Sequence, residues 1–352
     1  MPTGLDTPTT CVPGRSPAET SYADEPTRDR PRLGPAVLDL SIIIVSWNTR
    51  RELDHCLRSI RSGAGRLRCE VIVVDNASAD GSADMVERDH PEVSLIRNEA
   101  NRGFGAANNQ GMRIARGRYV LLLNPDTILL DDALERAVQY ADAHPDVGIV
   151  GCQVMESRTA VQRSCFRFPS PWHTLLWVTG LAGLAPRSRL LGRAAYGPWD
   201  RRTPRTVDVV SGMFMLARRE AIEDVGLMDE DYFVYAEEAD WCFRFGRAGW
   251  PCVFAPVGRV LHVDGGNKST DQDRRRMFVE KQKNVLLFQR KNLGRMAAFA
   301  SRLLFIVGMG VRSAAWTLRW LASPSPEHEA RRTESWWAFQ FHLLGRRPPG
   351  PC

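Results

Sequence analysis

Residues 41–46, Ser-Ile-Ile-Ile-Val-Ser, are almost entirely apolar and β-branched. A strand with one wet face alternates polar and apolar residues. A run without alternation suits a strand covered by helices on both faces. The pattern recurs at residues 70–75 (EVIVVD), 93–96 (VSLI), 119–123 (YVLLL) and 147–150 (VGIV). The stretches between them, 50–62, 80–89, 104–116 and 131–143, are predicted as helices. Asp80 to Asp84 supply capping residues for one, and Asp131-Asp132 place acid in the first turn of another. Four repeats of strand then helix predict an α/β fold with a mostly parallel central sheet. Ligands of such sheets bind beyond the carboxyl ends of the strands.

Those ends carry Trp47-Asn48-Thr49, Asp75-Asn76-Ala77-Ser78 and Asn124-Pro125-Asp126. One such cluster is ordinary turn chemistry; three at one sheet edge point to a shared site. Gly103-Phe104-Gly105-Ala106-Ala107-Asn108 approaches a dinucleotide fingerprint, with Asp126 following downstream. Its third glycine is replaced by Asn108 and it lies in the third strand–helix unit, which argues against a nicotinamide cofactor.

A second block, residues 205–270, reads as a strand from Val207 to Leu216 interrupted at Ser211-Gly212, then a helix from Ala236 to Ala248. That helix opens with Glu237, Glu238 and Asp240. Dipole complementation at the N-terminus explains one or two of them. A third, beside Tyr232, Phe233, Tyr235 and Trp241, favours a carboxylate of raised pKa acting as a base. His262 follows an apolar run and precedes Asp264-Gly265-Gly266. One imidazole with hard oxygen ligands such as Asp126 suits Mg²⁺ or Mn²⁺ held largely through a diphosphate, and not zinc.

In order along residues 38–290, SIIIVSWN, EVIVVDNASADGS, NRGFGAANNQG, YVLLLNPDT, VSGMFMLARRE, DEDYFVYAEEADWCFRFGRAGW and LHVDGG resemble the family-2 inverting glycosyltransferases of GT-A fold, and among them the bacterial rhamnosyltransferase-like branch. The resemblance implies a nucleotide-sugar donor (dTDP-, UDP- or GDP-linked) bound by Ser46, Asn48, Asp75, Asn76, Asn101, Gly103, Asn108 and Asn124. It implies a metal on Asp126 and His262, with Glu238 as the catalytic base beside Glu237 and Asp240. The sequence departs from the family pattern twice. Asn124 replaces the first Asp of the DxD motif. Glu238 replaces an Asp, which moves the carboxylate outward by about 1 Å, a displacement that matters to catalysis.

The same resemblance divides the chain into an N-terminal extension (1–37), a GT-A domain (38–290, with a nucleotide-binding half 38–150 and an acceptor and catalytic half 151–290) and a helical tail (291–352). The extension holds seven of the 22 prolines and no apolar periodicity, and is expected to be disordered. The Arg-, Pro- and aromatic-rich stretch 156–204 reads either as acceptor contacts or as a surface insertion.

Of 352 residues, 43% are hydrophobic and 25% charged, ordinary globular composition, and the net charge is +6. From Lys268 onward there are 16 Lys+Arg and 6 Asp+Glu, so the basic excess lies in the tail and the remainder is slightly acidic. Helix-compatible residues 291–321 place Lys291, Arg295, Arg302, Arg312 and Arg319 on one arc and Leu303, Leu304, Val307, Val311, Ala314 and Leu318 opposite. The longest uncharged run, LLFIVGMGV, falls short of the roughly 20 residues that span a bilayer. The tail therefore reads as an in-plane amphipathic helix with Trp316 and Trp320 at its polar edge, or as a helix packed on the domain.

The first residues carry no apolar signal core and the eight cysteines form no CxxC pair. A reduced, cytoplasmic protein peripheral on the inner face of the membrane is expected. The expected activity is transfer of a sugar, rhamnose foremost, to a lipid-linked or polysaccharide acceptor. Transfer to a polyprenyl phosphate and a non-catalytic sugar-nucleotide or glycan-binding module are the alternatives. No nucleic-acid-binding pattern accompanies the basic tail.

Overall fold

Strand β1 (Leu38–Ser46) seeds the sheet, with Ile42, Ile43 and Ile44 fully buried. The computed structural model describes residues 38–157, 159–263 and 273–348. The 1–37 extension, Asp264-Gly265-Gly266 and the last four residues lie outside them. After β1 come α1 (Arg50–Gly63), β2 (Cys69–Asp75), α2 (Ser82–Asp89), β3 (Ser94–Arg97), α3 (Phe104–Ile114) and β4 (Gly117–Leu123). β1 pairs in parallel with β2 and β4, and β2 with β3. The pairings Ser46↔Asp75 and Asp75↔Arg97 bring the carboxyl ends level. Side chains alternate across the pleat. Ile42 and Ile44 meet Leu53, Leu57 and Val138 on one face, and Ile43 meets Met112, Ile222 and Met215 on the other.

The second half continues with β5 (Thr127–Leu130), α4 (Ala133–Ala143), β6 (Ile149–Met155), β7 (Cys165–Phe166), α5 (Pro171–Val178), α6 (Leu181–Leu184), β8 (Arg205–Val207), β9 (Val209–Val210), β10 (Phe214–Arg218), α7 (Arg219–Val225), α8 (Glu237–Arg247) and β11 (Cys252–His262). The sheet order is β3-β2-β1-β4-β10-β6-β11-β5, so the strand after β4 in space is not the next in sequence. β10 enters antiparallel between β4 and β6, while β11 runs parallel to β6 and antiparallel to β5. The fold is the expected α/β architecture, with the parallel block β3-β2-β1-β4 in the N-terminal half and one further parallel pair, β6 with β11, in the second.

Local expectations are corrected in three places. The run 207–216 is not one strand but β8, β9 and β10, broken at Ser211-Gly212-Met213. A Cβ on Gly212 would stand 2.9 Å from the Phe104 ring, so the break lets that ring pack. Asp131 and Asp132 precede α4 in the left-handed region (φ 52° and 53°), and Glu135 is the acid of its first turn. Lys291 belongs to α9 (Arg274–Asn292), where it pairs with Asp229 at 2.5 Å and Asp231 at 2.6 Å.

The tail continues as α10 (Arg295–Ala322) and α11 (Pro326–Leu344), packed together and against α9 and α5. α10 buries Ser301, Phe305, Met309 and Ser313 against its neighbours, while Arg295, Arg302 and Arg319 on the same side stay exposed. Arg302 donates to the His342 carbonyl at 2.9 Å, and Arg312 lies over the Trp177 and Phe278 rings. The opposite side faces out, with Met296 76%, Val307 66% and Leu318 68% exposed. At 28 residues, with a mean hydropathy of 1.3 over an 18-residue stretch, α10 is long and apolar enough to cross a membrane by length and composition, which the nine-residue uncharged run had argued against. The stretch 156–204 contributes α5 to this helical layer.

Candidate active site

A cavity of about 400 Å³ opens at the carboxyl ends of β1, β2 and β4, walled also by the turn before β10, the start of α8, the end of β11 and the start of α9. Of the anticipated site residues, Asn76, Asn101, Gly103, Asn124, Asp126, Glu237, Glu238 and His262 line it. None of the described residues of 156–204 does.

Asp126 and His262 meet because β5 and β11 pair with His262 opposite Thr127. The Val263 N–H donates to the Asp126 carbonyl at 2.8 Å, and His262 Nε2 stands 3.2 Å from Asp126 Oδ2. Asp126 Oδ1 is shielded from solvent and without a partner. An orphaned carboxylate oxygen beside an imidazole fits a divalent cation. No cluster of three His, Cys, Asp or Glu side chains forms among the described residues, so most of the ion's coordination would have to come from a ligand's oxygens and water.

Glu237 and Glu238 open α8 just after Tyr235 and Ala236, both with φ of 69° although neither is glycine. Asn48 and Ala77, in the loops after β1 and β2, are also left-handed, at 52° and 65°. Such strain collects at functional sites because the surrounding fold must hold it. Glu237 is fully buried, whereas Glu238 keeps part of its surface at the cavity, and Oε2 of each lacks a partner. Burial pushes the Glu237 carboxyl well above the usual carboxylate range, and the Glu238 charge adds to this. Burial raises Glu238 too, opposed by a backbone hydrogen bond and by the Lys281 ammonium. Lys281, from α9, is itself pulled down by burial and held up by Glu238. The arrangement is a carboxylate of raised proton affinity facing a cavity, with a cation behind it.

Other anticipated residues brace the walls. Asp75 is buried, accepts from the Ser78 N–H at 3.0 Å and keeps Oδ1 without a partner. Asn76 donates to Asn101 Oδ1 at 2.8 Å and accepts from the Arg102 N–H at 3.0 Å. Ser46, Asn48, Asp75 and Asn108 do not line the cavity. The Ser46 hydroxyl is spent on Thr49 at 2.9 Å, Asn48 Oδ1 accepts from Ala79 N–H at 2.7 Å, and Asn108 donates back to the Phe104 carbonyl at 3.0 Å. Val45, Trp47 and Thr49 present the β1 end instead.

Asp240 is a second correction. It is buried away from the cavity, bonded by Arg244 Nε at 2.9 Å and Asn292 Nδ2 at 2.9 Å, and so holds α8 to α9. Gly103 serves packing: its φ is 86° and a Cβ would fall 2.1 Å from the Phe233 carbonyl, which accepts from the Phe104 N–H at 2.8 Å. The N-terminus of α3 is thus engaged by protein, unlike that of a dinucleotide fingerprint. Sequence reading missed Asp273 and Arg276 of the cavity wall, and Lys281 behind Glu238. All three lie at or on α9, a helix without a recognisable motif.

The chain is similar to known glycosyltransferases in sequence and in fold. The N-acetylglucosaminyl-diphospho-decaprenol L-rhamnosyltransferase of Mycobacterium tuberculosis is 28% identical over 242 residues, covering 63% of this chain and 75% of that protein. The low-salt glycan biosynthesis hexosyltransferase Agl10 of Haloferax volcanii is 25% identical, covering 67% and 69%. Among solved structures, the mannosyltransferase PcManGT from Pyrobaculum calidifontis, in complex with GDP-Man and Mn²⁺, shares the fold at a TM-score of 0.51 and 19% identity, covering 89% of this chain and 88% of that one. The model of the family described as "Glycosyl transferase family 2" matches residues 41–226, more than half of the chain, and the protein belongs to that family.

Proposed function

We propose that this glycosyltransferase moves a sugar with inversion from a nucleoside-diphosphate donor to a lipid-linked saccharide, with dTDP-rhamnose the first donor to test and an N-acetylglucosaminyl diphospholipid the first acceptor. The observation that carries the reading is the convergence of Glu238 and the Asp126–His262 pair on one cavity at the strand ends. A cavity of this size accommodates a nucleotide sugar.

In this reading the acceptor hydroxyl gives its proton to Glu238 as its oxygen attacks the anomeric carbon. The new C–O bond forms on the face opposite the departing diphosphate, so the configuration inverts. Asp75 Oδ1 is available to accept from the nucleoside. Asp126 and His262 would hold Mg²⁺ or Mn²⁺, whose chemistry when bound is to neutralise charge on the diphosphate. Lys281 favours the charged form of Glu238 and so keeps a buried carboxyl competent as a base. The identity of 28% to a rhamnosyltransferase supports the sugar and the acceptor class.

The outer face of α10 supports peripheral membrane association. Phe299, Leu303, Val307, Val311, Leu318 and Leu321 are exposed along one side, and each would leave water on contact with a bilayer. A thermal-shift panel of dTDP-, UDP- and GDP-sugars with Mn²⁺, followed by donor hydrolysis, tests the reading. Stabilisation by one donor together with metal-dependent hydrolysis supports it; binding without hydrolysis would instead mark a non-catalytic module.

A further inference from the structure

Beyond the catalytic cavity, α9 carries a second feature. Arg276 walls the catalytic cavity and also a smaller cavity of about 230 Å³. The smaller one is lined by Val279, Lys283, Phe341 and Arg347 as well. Lys283 and Phe341 in turn wall a third cavity of about 500 Å³ with Leu286, Leu287 and Phe299. Shared wall residues set the three in series along α9 as an interrupted groove. Arg276, Lys283, Leu287 and Arg290 recur at helical spacing along one side of α9, so the groove follows that helix for about 21 Å at 1.5 Å per residue.

Chemistry changes along this path in a fixed order. The catalytic end holds carboxylates, the middle carries Arg276, Lys283 and Arg347 with Glu280, and the far end lays Leu286, Leu287, Phe341 and Phe299, on the exposed side of α10, between Arg290 and Arg302. In the middle, Lys283 is paired with Glu280 at 2.9 Å. Arg276 stacks over the Phe233 ring, and neither it nor Arg347 pairs with a carboxylate among the described residues. Two uncompensated guanidiniums beside one neutralised pair make a site for a phosphate or diphosphate.

We propose that the groove binds the lipid-linked acceptor, with its sugar in the catalytic cavity, its diphosphate between Arg276 and Arg347, and its chain over Leu286, Leu287, Phe341 and Phe299. This rests on the lipid-linked reading of the acceptor given above. The order saccharide, diphosphate, chain matches the order carboxylate, guanidinium, apolar wall. The apolar end emerges at the outer side of α10, so a chain leaving the groove passes directly into the membrane surface on which that helix would lie.

Binding by the full-length chain can be read without turnover, using dansylated heptaprenyl diphosphate and dansylated hexyl diphosphate in detergent. The wild type should prefer the long chain. Phe299→Asp should cut that preference about tenfold, equivalent to about 1.4 kcal/mol. Arg347→Gln, an exposed change with little risk to folding, and Arg276→Gln should each weaken both diphosphates about tenfold, whereas Leu190→Asp, an exposed leucine off the groove, should keep wild-type values. Equal affinity for the two chains, or three variants indistinguishable from wild type, would overturn the groove even if transfer to a lipid-linked acceptor proceeds. The expected binding pattern without any transfer would overturn the acceptor reading and leave the groove standing.

Discussion

Replacing Glu238 and Glu237 one at a time separates catalysis from burial. Both glutamates line the cavity and each has Oε2 unpartnered, but Glu238 is the less buried of the two and is the one opposed by the Lys281 ammonium. Glu238→Gln removes the proton acceptor at nearly constant shape. General-base catalysis contributes about 10²- to 10⁴-fold, so kcat should fall by that factor, about 2.7–5.5 kcal/mol of barrier, with donor affinity retained. Glu237→Gln should behave oppositely, keeping at least about ten times the turnover of Glu238→Gln and gaining stability. A carboxyl whose folded pKa is raised binds protons more tightly when folded. Its penalty is absent below the unfolded pKa, grows as pH rises through the folded value, and is complete above it. The gain from Glu237→Gln should therefore be larger at pH 8.5 than at pH 6, reaching about 1–2 kcal/mol, or several degrees in Tm. The raised Glu238 pKa likewise places the acid limb of the wild-type kcat profile above the ordinary carboxylate range. Initial rates on a nucleotide-sugar donor and melting curves at the two pH values are the assays. Wild-type turnover in Glu238→Gln, or a larger loss in Glu237→Gln, would refute the assignment of the base.

Gly103→Ala forces a side chain into the Phe233 carbonyl at a positive φ and should cost about 2–4 kcal/mol, read as a lower denaturation midpoint together with weakened donor binding. Asp126→Asn should abolish Mn²⁺-dependent thermal stabilisation in the presence of nucleoside diphosphate, and His262→Ala should weaken it about tenfold; unchanged metal response in both would exclude this pair as the metal site. Val307→Glu with Val311→Glu replaces two exposed apolar residues of α10 and should remove most flotation with anionic liposomes, since each buried apolar side chain contributes about 1.5–3 kcal/mol. Equal flotation of variant and wild type would remove that helix from the membrane contact.

What could be read from sequence divides along a physical line. The strand ends were legible because unbroken β-branched runs fix both where a strand stops and which polar residues follow it. Asn76, Asn124 and Asp126 were found that way. Asp240 was grouped with Glu238 by proximity in sequence, yet two residues are about 200° of helix, so the two carboxylates cannot share a face; helical phase alone would have separated them. Arg276 and Lys281 left no comparable trace. α9 has only a weak amphipathic pattern, since a helix wedged between the sheet domain and the tail meets protein on several sides. The predicted arcs of the tail helix put Lys291 in the wrong helix and named neither Phe305 nor Met309, the apolar residues through which α10 packs. Charge still reaches water at Arg295, Arg302 and Arg319, which are exposed, and only Arg312 is half-buried, where aromatic surface is offered instead. Arg312 lies over Trp177 and Phe278, while Trp316 and Trp320 take Arg319 and Arg332. An arginine stem and its planar guanidinium can both be covered by such rings at modest desolvation cost. The rings come from α5, α9 and α10 itself, and Arg332 from α11, so the side of α10 that packs, and with it the exposure of Val307 and Leu318 opposite, is a property of the assembled helical layer and not of any one helix.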